Sequence, residues 1–129
     1  MPFGARGGNE TIMYVEDDEL VRALNIRILQ QLGYSILEAE SSAVALDIVI
    51  SCKGTIDLLI SDVAIDDING PELVKRVREV LPEIKVLFTS GYAEESIIQD
   101  DAPMNTVHFL AKPFRPKQLA DAIREILEA

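Results

Sequence analysis

The residues able to do chemistry in this chain fall in four short stretches, each directly after an apolar run. Glu16-Asp17-Asp18-Glu19 follows IMYV, Asp62 follows LLIS, Thr89-Ser90 follows VLF, and Lys112-Pro113 follows FLA. If those stretches meet, they form one site of several carboxylates, a hydroxyl and an ammonium. Carboxylates packed together repel one another, so the grouping calls for a compensating cation. Hard oxygen ligands around a partly hydrated site suit Mg²⁺, which takes one or two carboxylates together with a phosphate oxygen. A carboxylate beside such an ion can attack phosphorus, because the ion neutralises the oxygens it must approach. The lysine and threonine can then hydrogen-bond the remaining oxygens of the transferred group. No cysteine or histidine accompanies the acids, which argues against zinc.

Taken singly, each stretch has a plainer reading. The acids at 16–19 suit the first turn of a helix; Asp62 suits a turn, Thr89 a strand, and Lys112-Pro113 a strand stop. What gives them weight is the pattern of elements that must carry them. Apolar runs predict strands at 12–15, 34–39, 56–61, 84–89 and 107–111, and the near-continuous apolar character of IDLLIS predicts burial on both faces. Between them lie helical patterns. The first uses Leu20, Leu24, Ile28 and Leu32, flanked by Val21 and Leu29, and closes at Gly33. The second starts at Ser41 or Ser42 and runs to about Ser51, with Ala45, Leu46, Val49 and Ile50 inward. The third follows Gly70-Pro71 with Leu73, Val77, Val80 and Leu81 inward. A weaker fourth covers 93–99, and a fifth covers 116–127 with Leu119, Ile123, Ile126 and Leu127 on one stripe.

Five strands alternating with five helices imply an α/β domain, a parallel sheet with helices on both faces. Ligands in such domains bind beyond the carboxyl ends of the strands, where the strand order reverses. All four chemical stretches lie there.

Composition bounds the rest. A chain of 129 residues holds one core, and residues 1–9, rich in glycine and polar groups, are expected to be a flexible tail or linker ahead of a domain at 10–129. Acids outnumber bases 22 to 12, a net charge of −10, so direct binding to nucleic acid is not expected. No apolar run reaches the ~20 residues needed to cross a bilayer, and no secretory leader is visible. With the single Cys52 unable to form an internal disulfide, the cytoplasm is the expected compartment. Cys52 and the lone His108 are read as an edge and a surface residue.

In order, YVEDDELVR, LLISDVAIDDINGPEL, VLFTSGY and FLAKPF resemble the receiver domain of two-component response regulators, over about residues 10–128. The resemblance implies a flavodoxin-like doubly wound sheet, order 2-1-3-4-5, with five helices. It implies that Asp62 accepts a phosphoryl group from the phosphohistidine of a histidine kinase or a histidine phosphotransfer domain. Glu16, Asp17, Asp62 and the backbone carbonyl of Ala64 match the Mg²⁺ ligands, and Thr89 and Lys112 the groups that hold the phosphoryl oxygens. Phe109 matches the aromatic partner of Thr89 in the switch, Gly70 closes the loop after the phosphosite, and Lys112–Pro113 is expected to be cis. Such a domain assists its own modification and is not an enzyme in isolation; a monomer is expected. GGNETIMYVEDDE with LFTSGYAEE and FLAKPF is similar to receivers at the C-terminus of hybrid sensor histidine kinases.

Some positions depart from the family pattern. Glu16 stands for the commoner aspartate, Phe109 lacks a tyrosine hydroxyl, and Asp67 adds an acid near the site. Asp66, where proline is frequent, is expected to loosen its loop. Two other classes fit worse. An aspartyl phosphatase of the haloacid-dehalogenase type needs a threonine after its Asp-x-Asp, absent from EDDELV. A flavin-binding domain of the same topology needs a first loop rich in Ser, Thr and Gly, whereas this one is acidic. A receiver that signals without phosphorylation remains a third reading.

Overall fold

A computed structural model describes residues 4, 6–52, 55–91 and 107–129. Five parallel strands form one sheet: β1 (Thr11–Val15), β2 (Ser35–Ala39), β3 (Leu58–Asp62), β4 (Lys85–Ser90) and β5 (Val107–Ala111), in the order β2-β1-β3-β4-β5. Four helices accompany them among the described residues: α1 (Glu19–Gln31), α2 (Ser42–Ser51), α3 (Gly70–Val80) and α4 (Pro116–Leu127). The helix expected at 93–99 lies outside the described residues.

Apolar side chains alternate between two cores because both faces of the sheet are covered. Met13, Val15, Leu59, Val86 and Phe88 pack on α2 and α3 through Ala45, Val49, Leu73, Val74 and Val77. Ile12, Tyr14, Leu58, Ile60 and Leu87 pack on α1 and α4 through Ile28, Leu29, Leu119 and Ile123. Every residue of β3 is buried, as its composition predicted. Full burial of one such aliphatic side chain stabilises by roughly 1.5–3 kcal/mol.

Helix termini follow their sequence signals. Asp18 caps α1, its carboxylate accepting the Val21 amide at 3.0 Å. Ser41 caps α2, and Asn69 caps α3 ahead of Pro71. Gly33, at φ +100°, turns the chain after α1, a conformation L side chains rarely adopt.

The buried faces of three helices differ from those expected. Leu20 and Leu24 are 83% and 60% exposed, and the inward face of α1 is Asn25, Ile28, Leu29 and Leu32. At 3.6 residues per turn a strict four-residue repeat drifts roughly 40° per step, so Leu20 and Leu32 lie on different faces. In α2, Ala45 and Val49 are buried while Ile50 is 69% exposed. In α3, Val74 takes the inward place expected for Val80.

Residues 6–9, which composition assigned to a tail, run with Glu10 against the end of α1. The Gly8 amide donates to Leu32 O at 3.1 Å. Arg124 of α4 reaches both Glu10 carboxylate oxygens, at 2.9 and 3.0 Å, and Arg6 pairs with Glu128 at 2.7 Å. A Cβ on Gly7 would lie 1.8 Å from Leu32 O, so the close approach depends on glycine there.

Candidate functional site

The strand order reverses at β1, whose neighbours are β2 and β3. The site lies at this point, beyond the carboxyl ends of β1, β3, β4 and β5. Glu16 follows β1 and is buried; its amide donates to Ala39 O at 3.1 Å, and its Oε2 accepts the Asp18 amide at 3.2 Å. Asp17 is exposed beside it. Asp62 ends β3, buried, and its register partner on β4 is the buried Thr89. Lys112 follows β5, where its amide donates to Ser90 O at 2.8 Å, and the Lys112–Pro113 peptide is cis as expected.

These side chains converge. The Lys112 ammonium is 2.8 Å from Asp62 Oδ2 and 3.7 Å from Glu16 Oε1. Carboxylate oxygens of Glu16, Asp17 and Asp62 all lie within 4.8 Å of one another. At such separations two unit charges repel by on the order of 3 kcal/mol in a surface-like dielectric. Burial raises the Glu16 pKa above the ordinary carboxylate value; the Asp18 amide and Lys112 oppose this, and the Asp62 charge adds to it. Two of the three clustered carboxylates thus pair with the Lys112 ammonium. The donor set is all hard oxygen, and Asp17 leaves one side open to solvent, which fits a partly hydrated divalent cation. The three acids would hold it, and its charge would lessen their repulsion.

The loop after Asp62 is tightly built. Val63 and Gly70 close it, with the Gly70 amide donating to Val63 O at 2.8 Å, while the Val63 amide donates to Thr89 O at 3.2 Å. The Ala64 amide points toward Asp62 Oδ1, at 3.4 Å. The Asp66 amide, which proline would lack, donates to Asp17 Oδ2 at 3.2 Å. The departure expected to loosen the loop therefore supplies a tie of its own.

Asp67, expected as a further acid near the site, is turned away from it. Its oxygens accept the Ser42 and Ala43 amides at 3.1 and 2.9 Å, at the start of α2, and the Ser42 hydroxyl returns a bond to Ile68 O at 2.6 Å. Burial pushes the Asp67 carboxyl up, but the amides of Ala43, Ile68 and Ser42 outweigh it and hold the pKa below the usual value. The N-terminal amides of α2 need such acceptors.

Phe109 is 37% exposed, and its ring stacks on Phe88 with centroids 5.9 Å apart and planes at 22°. His108 is exposed, as expected. Beneath the acids, Asn25 of α1 donates to the Tyr14 hydroxyl at 2.7 Å. Burial raises the Tyr14 pKa, Asn25 opposes the rise, and the Glu16 and Asp62 charges add to it. Arg22, Asn25, Phe88 and the true partner of Asp67 were not picked out from sequence. Of these, Arg22 and Phe88 carried a signal, their places within YVEDDELVR and VLFTSGY.

The sequence matches the response regulator receiver domain family over residues 12–124. The chain belongs to the receiver family. This receiver is 40% identical over 121 residues to the sensor kinase CckA of Brucella abortus (strain 2308), covering 94% of this chain and 13% of that protein. It is 31% identical over 119 residues to sporulation initiation phosphotransferase F of Bacillus subtilis (strain 168), covering 92% and 94% of the two. The crystal structure of the receiver domain from the hybrid histidine kinase CckA is 38% identical, with a TM-score of 0.77, over 91% of this chain and 98% of that one. The receiver therefore spans a small part of one relative and nearly all of another. Its fold and its place in two-component signalling follow from the family. Among its described residues no helix is long and apolar enough to cross a membrane.

Proposed function

We propose that Asp62 is the phosphoacceptor of a phosphorelay, taking its phosphoryl group from the phosphohistidine of a histidine kinase or a histidine phosphotransfer domain. The observation that carries this is the Lys112 ammonium 2.8 Å from Asp62 Oδ2, inside a cluster of three carboxylates at the switch in strand order. An Asp62 oxygen attacks phosphorus, the new O–P bond forms, and the N–P bond breaks with its electron pair going to the imidazole nitrogen. Lys112 and Thr89 hydrogen-bond the phosphoryl oxygens, and the buried setting strengthens those bonds. Mg²⁺, held by Glu16, Asp17, Asp62 and the Ala64 carbonyl, supplies neutralising charge when bound.

Thr89, drawn toward the phosphoryl group, vacates space beside β5, and Phe109 turns into it. This motion is steric and needs no hydroxyl on the ring. The isolated domain is read as a cytoplasmic, monomeric switch rather than an enzyme, with no direct contact to nucleic acid. Resemblance to CckA supports an origin within a hybrid sensor kinase.

The test is labelling by acetyl phosphate with and without Mg²⁺. Wild-type protein is expected to label only with Mg²⁺, and Asp62→Asn, which keeps shape and removes the nucleophile, to stay unlabelled and folded. Label persisting on the variant at another residue would overturn the assignment.

A further inference from the structure

Arg22 is the basic residue of YVEDDELVR and has had no part in the site so far, but its contacts give it one. It enters the first turn of α1, where its amide donates to Asp18 O at 2.9 Å. Its side chain is only 11% exposed. Nη1 donates to the backbone carbonyl of Glu16 at 2.8 Å, and Nε donates to Glu38 Oε2 at 2.9 Å. Glu38 lies on β2, opposite Tyr14 of β1 in the parallel register. One side chain thus joins α1, the end of β1 and β2.

What this holds is the backbone of the acidic pair. The Glu16 amide is bonded to Ala39 O, and its carbonyl to Arg22, so both peptide groups flanking its Cα are fixed. The Glu16 carbonyl belongs to the planar peptide leading to Asp17, so fixing it also fixes the direction in which Asp17 departs. The Glu16 carboxylate is steadied in turn by the Asp18 amide. The guanidinium bonds the Glu16 carbonyl and Glu38, so its hold is on the main chain that aims two of the three acids.

We propose that Arg22 is a positioning residue for the Glu16–Asp17 pair: by clamping the Glu16 carbonyl against Glu38 it pre-organises the acids for a divalent cation. The inference rests on the reading of the acid cluster as a cation site. Groups outside the ligand shell that orient ligands typically change metal affinity 10–100-fold when removed. A guanidinium is suited to the task because its planar fork serves two acceptors at once, which an ammonium cannot match.

Charge and positioning predict opposite signs, which makes the inference testable. As a bystander charge, Arg22 repels a cation, so Arg22→Gln would tighten Mg²⁺ binding and Arg22→Lys would leave it unchanged. As a positioning residue, its loss weakens binding: roughly tenfold for Arg22→Gln, and less, but measurably, for Arg22→Lys. The experiment is calorimetric titration of the full chain with MgCl₂ at constant ionic strength, beside thermal melts in EDTA. Weaker binding by both variants supports the inference. Tighter or unchanged binding by a folded variant overturns it, as does a lowered melting temperature in EDTA with an unchanged dissociation constant. Should Arg22→Gln fail to fold, the Arg22→Lys result decides. A wild-type chain that takes no Mg²⁺ overturns the cation site itself, a result distinct from wild-type binding with indifferent variants.

Discussion

Gly70→Ala is a one-carbon change that probes how the loop after Asp62 is packed. A Cβ at position 70 would lie 2.7 Å from Phe88 Cε1, 2.9 Å from the Asp62 carbonyl oxygen and 3.1 Å from Val63 Cα. Carbon pairs settle at about 3.5–4.0 Å, so the Phe88 ring must retreat by roughly 0.8 Å or the loop must lift by a similar amount. Neither is free to move. Phe88 is fully buried and stacked on Phe109, and the loop is tied by Gly70 N to Val63 O and by Val63 N to Thr89 O. Overpacking of this kind costs about 1–3 kcal/mol. Alanine's better helix propensity returns a fraction of its ~1 kcal/mol interior value, because Gly70 is in the first turn. The net expectation is a loss of ~1–2 kcal/mol, which at about 4 °C per kcal/mol lowers the melting temperature by ~4–8 °C. Because two of the three contacts are to residues 62 and 63, the shift should also reach the nucleophile. Labelling by acetyl phosphate should slow even at a temperature where the variant is fully folded. A variant that melts within a degree of wild type and labels at the same rate would refute this account of the loop.

Three further perturbations test other parts of the molecule. Leu29→Ala should cost ~2–5 kcal/mol in urea denaturation, whereas Leu24→Ala should stay within about 0.5 kcal/mol; equal losses would place the buried face of α1 wrongly. Burial raises the Glu10 pKa, but the Arg124 hydrogen bond and charge outweigh it and hold it below the ordinary value of 4.5. The pair therefore stabilises above that value and is lost as pH falls through the lower folded-state pKa. Glu10→Gln should cost about 1 kcal/mol at neutral pH, with the gap to wild type closing on acidification; a gap that widens would contradict the sign. At the proposed phosphosite, Ala64 is small and half-buried beside Asp62, so it neither blocks nor orients an attacking water. Ala64→Met should slow loss of the label by occlusion and Ala64→Asn should hasten it by holding the water in line; identical decay of both would remove this residue from control of access.

The strands were legible because both faces of the sheet are covered, so that runs such as LLIS and VLF are apolar without interruption. That the residues just after them would cluster was legible for the same reason, since a parallel sheet brings its carboxyl ends together whatever the loops do. The helical faces were less so. In α1, Leu20 and Leu24 fall on the wrong side of the stripe, and the buried Asn25, which bonds Tyr14, is polar; a reading that counts apolar residues places all three incorrectly. Contacts between distant segments were not legible at all. Asp67 reaches Ser42 and Ala43, and Arg22 reaches Glu38, across separations with no local signature. Asp67 reads as one more acid near the site until α2 is seen to present its unpaired amides to it. Glycines were ambiguous in the same way: Gly7 and Gly8 read as linker by composition, yet side chains there would collide with Leu32, Arg124 and Tyr34.

The site sets two demands of the fold against each other. β3 is buried along its whole length and yet ends in Asp62, so the interior must tolerate a charge at its margin. Lys112 offsets that charge, but Glu16, also buried, competes for the same ammonium at 3.7 Å. Repulsion of this kind would ordinarily be relieved by letting side chains swing apart into water. Here the backbone resists it. Asp62 is registered against Thr89, Gly70 leaves no room behind the loop, and the peptides around Glu16 are bonded on both sides. A site that holds repulsion in place favours whatever arrives to relieve it, because little reorganisation is required on binding. Under the proposed function the arriving species are a divalent cation and then a phosphoryl group with its oxygens turned to Lys112 and Thr89. The local cost in stability and the capacity to respond to phosphorylation then have one origin, the enforced closeness of three carboxylates at the ends of buried strands.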